Sequence, residues 1–324
     1  MRIIFDGEKA FAAYKQLLAS AEKEIWLCMY MIRFDEYTKQ LFEILDEKHA
    51  QGVRVTVWYD GFGCFRSIPR LATREYCKMF VPRITRLNTR NHAKMMMIDG
   101  QQAIVSGRNL TKKYYQKWQD ASIILSDKKH LHELKRFTKR IEQTYTEDAR
   151  YDGVTRVTDP LMRHRSVYHF FLEHIAKSQK EIIIASPYFV IDDAVESLLK
   201  AAADKGVKIT IIVPAKPEHR LARTFNRINF QRIHHKNVTV MRSAGMFHTK
   251  AMVFDDIALV GSANFDNRSF KYAMELSVVI EKKHVWRVKK HLEEVADHSV
   301  KYNWIQRTYD TLLFHLTRHL MELL

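Results

Sequence analysis

The sequence predicts an α/β fold built from two similar halves. Short apolar strands alternate with helical stretches along the chain, which is typical of a sheet covered by helices. The same order of strands, turns and polar motifs occurs twice, with corresponding positions separated by 154 to 157 residues. A separation this constant favours an internal duplication over two unrelated α/β stretches.

Each half begins with a strand that reads as buried, EIWLCMY at residues 24–30 and EIIIASPYF at residues 181–189. A helical stretch follows, and a Gly-Val turn then leads into a second apolar strand. The glycine of this turn is Gly52 in QGVRVTVWYD and Gly206 in KGVKITIIVP. The repeat therefore predicts two equivalent pairs of strands, each pair joined by a helix.

Each half then carries a His-x-Lys-x4-Asp motif, and this pair of motifs is the main functional signal. The motif residues are His92, Lys94 and Asp99 in NHAKMMMID, and His248, Lys250 and Asp255 in FHTKAMVFD. Because side chains two apart on a strand face the same side, the His and Lys of each motif are expected to share a strand face. The Asp begins a hairpin turn, and the return strand ends at SGRN or GSAN, which brings Asn109 and Asn264 close to the motifs.

These residue types suit a phosphate diester. A Lys supplies a point charge for phosphoryl oxygens, and an Asn amide supplies neutral donors. In-line displacement benefits from two histidines, one as nucleophile and one as acid for the leaving oxygen. Asp120 lies 28 residues after His92 and Glu275 lies 27 after His248, and both are candidates to orient an imidazole. The sequence thus predicts one active site that takes a His from each half.

The paired motif resembles the signature of the phospholipase D superfamily, and the resemblance covers roughly residues 1–280. It implies two pseudo-symmetric phospholipase D-type lobes, each a mixed sheet flanked by helices, with the active site at the lobe interface. It also implies a phosphohistidine intermediate and neither a metal nor a cofactor. The residues it assigns to catalysis are His92, His248, Lys94, Lys250, Asp120, Glu275, Asp99 and Asp255. Those it assigns to phosphate binding are Lys94, Lys250, Asn109, Asn264 and Ser262, with Gly107 at the position equivalent to Ser262 in the first half.

Four stretches are further similar to bacterial cardiolipin synthases: IRFDE at residues 32–36, WYDGFG at 58–63, SPYFVIDD at 186–193 and GSANFDNRSF at 261–270. This similarity implies a phosphatidyltransferase. His92 would attack one phosphatidylglycerol, and His248 would protonate the departing glycerol and then deprotonate a hydroxyl of a second lipid. A phospholipase D-type lipid hydrolase, a phosphatidylserine synthase and a metal-independent nuclease of the same superfamily are the alternatives.

The predicted domain boundaries follow the repeat. They give an N-terminal phospholipase D-like lobe at residues 1–150, a C-terminal lobe at 151–280 and a helical, amphipathic tail at 281–324. The seam is placed where YDGVTRVTDP interrupts the periodic pattern. From residue 303 onward, apolar side chains recur every three or four positions, so this part either packs on the protein or lies in a membrane interface.

The charge balance favours anionic partners. The chain has 53 Lys and Arg against 37 Asp and Glu, a formal net charge of +16. Two basic stretches, residues 61–91 and 219–236, precede the two motifs. We expect phosphatidylglycerol and an acidic membrane surface as partners. Nucleic acid is less favoured, because no zinc-finger, RGG or interleaved aromatic-basic stretch occurs. The oligomeric state is not predicted.

Cysteine usage and hydropathy bear on the compartment. Three cysteines without a C-x-x-C pair argue against a disulfide framework and favour a reducing compartment. The first residues, MRIIFDGEKAF, have no apolar core of signal-peptide length, and no run of 18 uncharged apolar residues occurs, so we expect no membrane span. With a lipid substrate, this predicts a cytoplasmic protein that is peripheral on the inner face of the bacterial cell membrane.

Overall fold

A computed structural model describes residues 1–80, 89–142, 153–218 and 220–304 of the chain. In the first half the elements are, in chain order, β1 (Arg2–Ile4), α1 (Gly7–Ala19), β2 (Glu24–Met29), α2 (Glu36–Ala50), β3 (Arg54–Asp60), a short 3₁₀ turn (Phe65–Ser67), α3 (Ile68–Leu71), β4 (Cys77–Phe80), β5 (Arg90–Asn91), β6 (Met95–Ile98), β7 (Gln102–Ser106), α4 (Lys113–Gln116), β8 (Ser122–Leu125) and α5 (Lys128–Ile141).

The second half repeats this order with insertions. Its elements are β9 (Thr155–Asp159), β10 (His164–Arg165), α6 (Ser166–Lys177), β11 (Glu181–Ala185), α7 (Asp193–Asp204), β12 (Lys208–Pro214), α8 (Arg220–Arg232), β13 (Val238–Ser243), β14 (Ala251–Phe254), β15 (Ile257–Gly261), α9 (Asn267–Lys271), β16 (Ala273–Glu281), α10 (Lys282–Asp297) and β17 (Ser299–Lys301).

The strands form two mixed sheets of matching topology. The first has the order β1-β8-β7-β6-β2-β3-β4, and the second has the order β10-β9-β16-β15-β14-β11-β12-β13-β17. In the first sheet β2, β3 and β4 are parallel and β6, β7 and β8 are antiparallel. In the second, β11, β12 and β13 are parallel and β14, β15 and β16 are antiparallel. The predicted fold of two pseudo-symmetric α/β lobes is confirmed.

Local sequence signals begin and end the helices that connect the strands. Asp35 caps α2 and Asp192 caps α7, each carboxylate accepting a hydrogen bond from a backbone N–H of the first turn. After these helices the chain turns at Gly52 and Gly206, whose φ angles of 86° and 92° lie in the left-handed region that favours glycine. The Gly-Val turns predicted from the repeat therefore end α2 and α7 in equivalent ways.

The two sheets share an apolar core. One continuous cluster of buried residues includes Trp26 and Met95 from the first sheet and Val253 and Leu276 from the second. Helix α10, whose residues fall in the predicted tail, contributes Val285, Val288, Leu292 and Val295 to the same cluster. Strand β17 (Ser299–Lys301) also falls in the predicted helical tail and pairs with β13. Residues 305–324 of that tail lie outside the described residues, and the lobe boundaries stay a prediction. No helix of the described ranges is both long and apolar enough to cross a bilayer.

Candidate active site

Backbone pairing between the lobes positions both motifs. Strand β5 pairs in parallel with β16, and the N–H of His92 donates to the carbonyl of Met274 at 2.9 Å. In the other lobe, Phe247 forms a parallel bridge with Gln119, and the N–H of His248 donates to the carbonyl of Gln119 at 2.8 Å. Each motif His therefore lies beside the chain that carries the carboxylate of the opposite lobe.

The strand assignment of the His-Lys pairs was wrong. Strand β6 begins at Met95 and β14 at Ala251, so both pairs lie just before these strands rather than on them. The physical reason is the pairing above, because the backbone at each His is bound to the other lobe before it joins its own sheet.

Each imidazole is oriented by a carboxylate from the other lobe. His92 Nδ1 lies 2.9 Å from Glu275 Oε1, and His248 Nδ1 lies 2.6 Å from Asp120 Oδ2. Both carboxylates are fully buried. An ionised carboxylate at Nδ1 holds the proton on that nitrogen, which leaves Nε2 with its lone pair for chemistry. Sequence order associated each carboxylate with the His of its own half. In the structure each carboxylate instead contacts the His of the other half.

Both motif lysines lie against the histidines. Lys94 Nζ donates to the carbonyl of His92 at 2.5 Å. Lys250 Nζ donates to the carbonyl of His248 and lies 3.0 Å from its Nε2 and 4.0 Å from the Asp120 carboxylate. Both lysines are buried, and neither contributes to the cavity wall formed by the described residues. In this arrangement their charges act on the cavity from directly behind its surface.

Burial dominates the electrostatics of the site. It lowers the pKa of His92 to about 4 and the pKa of His248 to about 3, with Lys94 and Lys250 respectively adding to the effect. Burial likewise lowers the pKa of Lys94 to about 7 and that of Lys250 to about 8. Both imidazoles are therefore neutral at neutral pH in the empty site.

The carboxylates stay ionised despite their burial. Burial by itself raises the pKa of Asp120, but the charge of Lys250 and the interaction with His248, which includes a hydrogen bond, lower it overall. For Glu275 burial is opposed by its interaction with His92, which includes a hydrogen bond, and by the charge of Lys94, and the net pKa is again lowered. The site thus holds two fixed negative charges among its basic groups.

The two asparagines line the cavity and differ in their hydrogen bonds. Asn109 Oδ1 accepts from the N–H of Met31 at 3.1 Å, and its Nδ2 donates to the Tyr114 hydroxyl at 2.8 Å. The side-chain oxygen of Asn264 is buried and has no hydrogen-bond partner within the described part of the chain. Both face the space that both histidines line, which agrees with a role in phosphate binding.

Ser262, predicted to bind phosphate, contacts a carboxylate and is not among the described residues that line the space beside the histidines. Its hydroxyl donates to Glu275 Oε2 at 2.5 Å, and the residue is fully buried behind the histidine pair. It therefore positions a carboxylate. At the equivalent Gly107, a Cβ atom would lie 2.2 Å from Asp120 Oδ1. Only glycine leaves room there for the carboxylate that orients His248.

Asp99 and Asp255, predicted to be catalytic, are not among the described residues that line the space beside the histidines. The Asp99 carboxylate accepts hydrogen bonds from the backbone N–H groups of residues 22, 23 and 24, at 2.7–3.0 Å. The Asp255 carboxylate does the same for residues 179, 180 and 181, at 2.8–3.0 Å. Both lie at hairpin turns with φ above 50°. They tie each motif hairpin to the start of the neighbouring strand.

Four further side chains contact the catalytic groups and were missed in the sequence. Ser269 Oγ donates to Glu275 Oε1 at 2.8 Å. The ring of Tyr30 lies 4.8 Å from the His92 ring, and the rings of Tyr114 and Trp118 lie 4.9 and 5.6 Å from that of His248. The available signal was the position of these residues, since Ser269 lies within GSANFDNRSF and YYQKW follows Asn109 closely.

The histidines and asparagines open into one cavity of about 570 Å³ between the lobes. Apolar side chains of α8, Leu221, Ala222 and Phe225, form part of its wall. Asp266 also lines it, and burial raises the pKa of this carboxyl to about 7. The cavity can hold a phosphate diester between the imidazoles with an apolar substituent against α8.

Fold and site together define a two-lobed phosphodiesterase-type protein in which each lobe supplies one His-Lys pair. The family description "cardiolipin synthase, PLD-like domain" matches residues 14–143 and 171–300, which together exceed half of the chain. The chain therefore belongs to this family of the phospholipase D superfamily, as the motifs predicted.

Curated relatives carry the same name. The chain is 29% identical to a probable cardiolipin synthase of Bacillus subtilis, over 93% of this chain and 67% of the relative. It is 28% identical to a cardiolipin synthase of Alkalihalophilus pseudofirmus, over 86% of this chain and 62% of the relative. The chain thus spans about two thirds of the length of these relatives.

Solved structures share the fold. A phosphatidylserine synthase from Haemophilus influenzae superposes with a TM-score of 0.77 at 15% identity, covering 100% of this chain and 95% of that one. A polyphosphate kinase from Porphyromonas gingivalis gives a TM-score of 0.66 at 15% identity, covering 99% of this chain and 53% of that one. At this identity the likeness concerns the fold alone.

Proposed function

We propose that this chain transfers a phosphatidyl group between two phosphatidylglycerol molecules through a phosphohistidine intermediate. The observation that carries the proposal is the pair of imidazoles on one cavity, each held at Nδ1 by a buried carboxylate of the other lobe. The relatives named cardiolipin synthase supply the substrate class.

In the first step, His92 Nε2 attacks the phosphorus of the donor lipid. The bond from phosphorus to the glycerol head-group oxygen breaks, and His248 gives its proton to that oxygen. Glycerol leaves, and the phosphatidyl group is bound to His92. In the second step, a head-group hydroxyl of another lipid gives its proton to His248, its oxygen attacks phosphorus, and the bond to His92 breaks. The proton that His248 lost is thereby restored.

The substrate supports the protonated state of His248. In the empty site burial and the Lys250 charge lower the pKa of this imidazole. A bound phosphate diester brings a negative charge, which offsets the lysine charge and favours imidazolium. The proton therefore enters the site together with the anionic substrate. The choice of His92 as nucleophile follows family resemblance, because the geometry of the two halves is nearly symmetric.

We also propose that the protein docks on an anionic membrane surface from the side. Arg66, Arg70 and Lys78 are exposed within the first basic stretch. Arg74 instead pairs with Asp46 at 2.8 Å, and Arg232 of the second stretch pairs with Asp193 and Glu196. Arg83 and Arg86 lie outside the described residues. The exposed cations, rather than the whole of both stretches, are thus the docking charges.

The test uses purified protein and vesicles of phosphatidylglycerol that carry a radioactive label at phosphorus. Transfer forms cardiolipin and free glycerol, whereas hydrolysis forms phosphatidic acid. We expect cardiolipin, and we expect His92→Ala and His248→Ala each to retain less than about a tenth of the wild-type rate, since two groups that act as a unit have non-additive effects. Quenching in the steady state and mapping the labelled peptide identifies the nucleophile.

Three results would contradict the proposal. Phosphate on His248 alone would reverse the roles of the histidines. Phosphatidic acid as the sole product would replace transfer by hydrolysis. Cleavage of single-stranded DNA with no turnover of lipid would assign the site to nucleic acid.

A further inference from the structure

A second cavity adjoins the active-site cavity. It measures about 870 Å³ and lies in the first lobe beside β3 and β4. Tyr30, Met31, Phe62 and Arg90 belong to the walls of both cavities. A molecule in the second cavity therefore has a short path to the histidines past these shared residues.

The polar part of the second cavity is cationic. Arg33 and Arg66 line it in addition to the shared Arg90. The Nη1 nitrogen of Arg33 is buried and has no hydrogen-bond partner among the residues that the structure describes. A buried guanidinium N–H without an acceptor is costly, so a ligand oxygen that reached it would be stabilising.

The one carboxylate of the described wall is already engaged. Asp60 accepts hydrogen bonds from the backbone N–H groups of Phe62, Gly63 and Asn91, at 2.9–3.0 Å. Burial also raises the pKa of this carboxyl. The arginines therefore leave a net positive site, which suits a phosphate group.

The rest of the wall is apolar and opens to solvent. Phe62 and Phe65 are 67% and 63% exposed, and Met79 is 42% exposed. These side chains lie at the rim, whereas Ile68 and Phe80 lie deeper in the wall. A cavity with cations on one side and exposed apolar residues on the other matches a lipid whose phosphate is bound and whose acyl chains leave toward a membrane.

We propose that the second cavity binds the acceptor lipid, with its phosphate against Arg33 and Arg66 and its head-group hydroxyl reaching the active site past Tyr30. This assignment rests on the proposed transfer reaction. The acceptor phosphate takes no part in bond making, but its charge must be met somewhere other than the histidine pair, which holds the donor. Water as acceptor carries no phosphate, so these arginines distinguish transfer from hydrolysis.

The test measures cardiolipin and phosphatidic acid in the same reaction on phosphatidylglycerol vesicles. Arg33→Ala and Arg66→Ala are each expected to lower the ratio of cardiolipin to phosphatidic acid about tenfold or more, the effect of losing one charged hydrogen bond. Arg33→Lys, which keeps the charge, is expected to restore part of the ratio. Thermal unfolding of each variant checks that it is folded.

Two controls distinguish loss of the acceptor site from a general loss of positive charge or activity. Arg70→Ala removes the same charge from the same basic stretch, but Arg70 packs over the ring of Phe34 and is not part of the cavity wall. Arg70→Ala should lower the yields of cardiolipin and phosphatidic acid by the same factor and leave their ratio unchanged. With ethanol as a phosphate-free acceptor, the ratio of phosphatidylethanol to phosphatidic acid should be the same for wild type and the Arg33 and Arg66 variants.

The outcomes are distinguishable. A normal ratio of cardiolipin to phosphatidic acid in the Arg33 and Arg66 variants, or an equal loss with ethanol, overturns the acceptor site while the transfer reaction stands. A wild-type protein that forms phosphatidic acid but no cardiolipin overturns the proposed function, and the acceptor site with it.

Discussion

At the scale of single residues, the defining feature is the exchange of carboxylates between the lobes. His92 is held by Glu275 and His248 by Asp120, so each half-reaction depends on both lobes. The two carboxylates support different steps. Glu275 fixes the tautomer of the proposed nucleophile, and Asp120 supports the proposed acid.

Glu275→Gln and Asp120→Asn should therefore both slow turnover of phosphatidylglycerol, by about 10²- to 10⁴-fold. They should differ on a diester with p-nitrophenol as leaving group, which departs without a proton. In a single turnover, p-nitrophenol release should recover in Asp120→Asn and stay slow in Glu275→Gln. Recovery in Glu275→Gln instead would show that His248 is the nucleophile.

Replacing the turn residue Asp99 tests whether its carboxylate stabilises the fold. Its carboxylate accepts three backbone hydrogen bonds, and its φ of 53° disfavours alanine. Asp99→Ala should lower the free energy of unfolding by about 1–2 kcal/mol, measured in urea, with kcat per folded molecule kept.

The same prediction has a pH dependence. The backbone donors keep the pKa of Asp99 below its usual range, although burial alone opposes this. The carboxylate thus stabilises the fold above its unfolded pKa, and this contribution is lost as the pH falls through the lower folded pKa. The difference between wild type and Asp99→Ala should shrink in acid. A loss of kcat without a loss of stability would return Asp99 to the catalytic set.

The pH profile of kcat/KM on a soluble diester follows from the buried bases. His92 must be neutral to attack, and its pKa of about 4 places the acid limb well below neutrality. Lys94 and Lys250 are charged below their pKa values of about 7 and 8 and become neutral above them. Attraction for the anionic substrate should therefore fall as the pH rises through 7 to 8.

Asp266 is the control for this profile, because its pKa of about 7 lies in the same range. Its ionisation would also repel the substrate as the pH rises. Asp266→Asn should keep the decline if the lysines cause it. A value of kcat/KM that stays constant between pH 7 and 9 would show that the lysines stay charged throughout.

At the scale of elements, the end of β7 has to approach the carboxylate that precedes β8. The N–H of Gly107 donates to the carbonyl of Ala121 at 3.0 Å, and a side chain at position 107 would overlap Asp120. Gly107→Ala should displace Asp120 from His248 and reduce kcat at least tenfold, with a smaller effect on KM. The matched variant Ser262→Ala removes the hydrogen bond to Glu275 without a clash, so its loss of kcat should be smaller. Equal losses would show that the close approach at Gly107 is unimportant.

The sequence predicted elements better than it predicted their partners. The hairpins that follow each motif were predicted correctly, because a short apolar strand, an Asp turn and a return strand are local signals. The pairing of β5 with β16 joins residues more than 180 positions apart, and no local period encodes it. The exchange of Asp120 and Glu275 follows from that pairing and was missed for the same reason. Ser262 and Gly107 were aligned correctly, but the space around them is visible only in three dimensions.

At the scale of the whole molecule, charge and exposed apolar surface coincide at the mouth of the site. Among the described residues, seven large hydrophobic side chains are exposed, and four of them line the two cavities: Phe62, Phe65, Met79 and Leu221. Of the exposed cations, Arg66 lines the second cavity, Arg70 lies in α3 and Lys78 lies in β4, whose Met79 and Phe80 line that cavity. A membrane that approaches this face would meet the docking charges, the apolar rim and the openings of both cavities together.

This arrangement predicts salt-dependent binding with an apolar component. Each basic group near an anionic surface contributes about 1 kcal/mol, and the attraction is screened within about a Debye length. The protein should sediment with phosphatidylglycerol vesicles at low salt and be largely released at high salt, whereas phosphatidylcholine vesicles should retain little of it. Changing Arg66, Arg70 and Lys78 to Glu should abolish most of the binding.

The apolar rim is tested separately, because insertion of its side chains into the membrane should be insensitive to salt. Phe65→Ser should increase the fraction that high salt releases from phosphatidylglycerol vesicles. Trp286→Ser is the control, since Trp286 is 56% exposed on α10 and lines neither cavity. Turnover of a soluble diester should be the same in both variants, because neither side chain contacts the histidines. Binding that is equal for neutral and anionic vesicles and insensitive to salt would show that the face around the cavities does not dock by charge. An effect of Trp286→Ser as large as that of Phe65→Ser would place the contact on another side of the molecule.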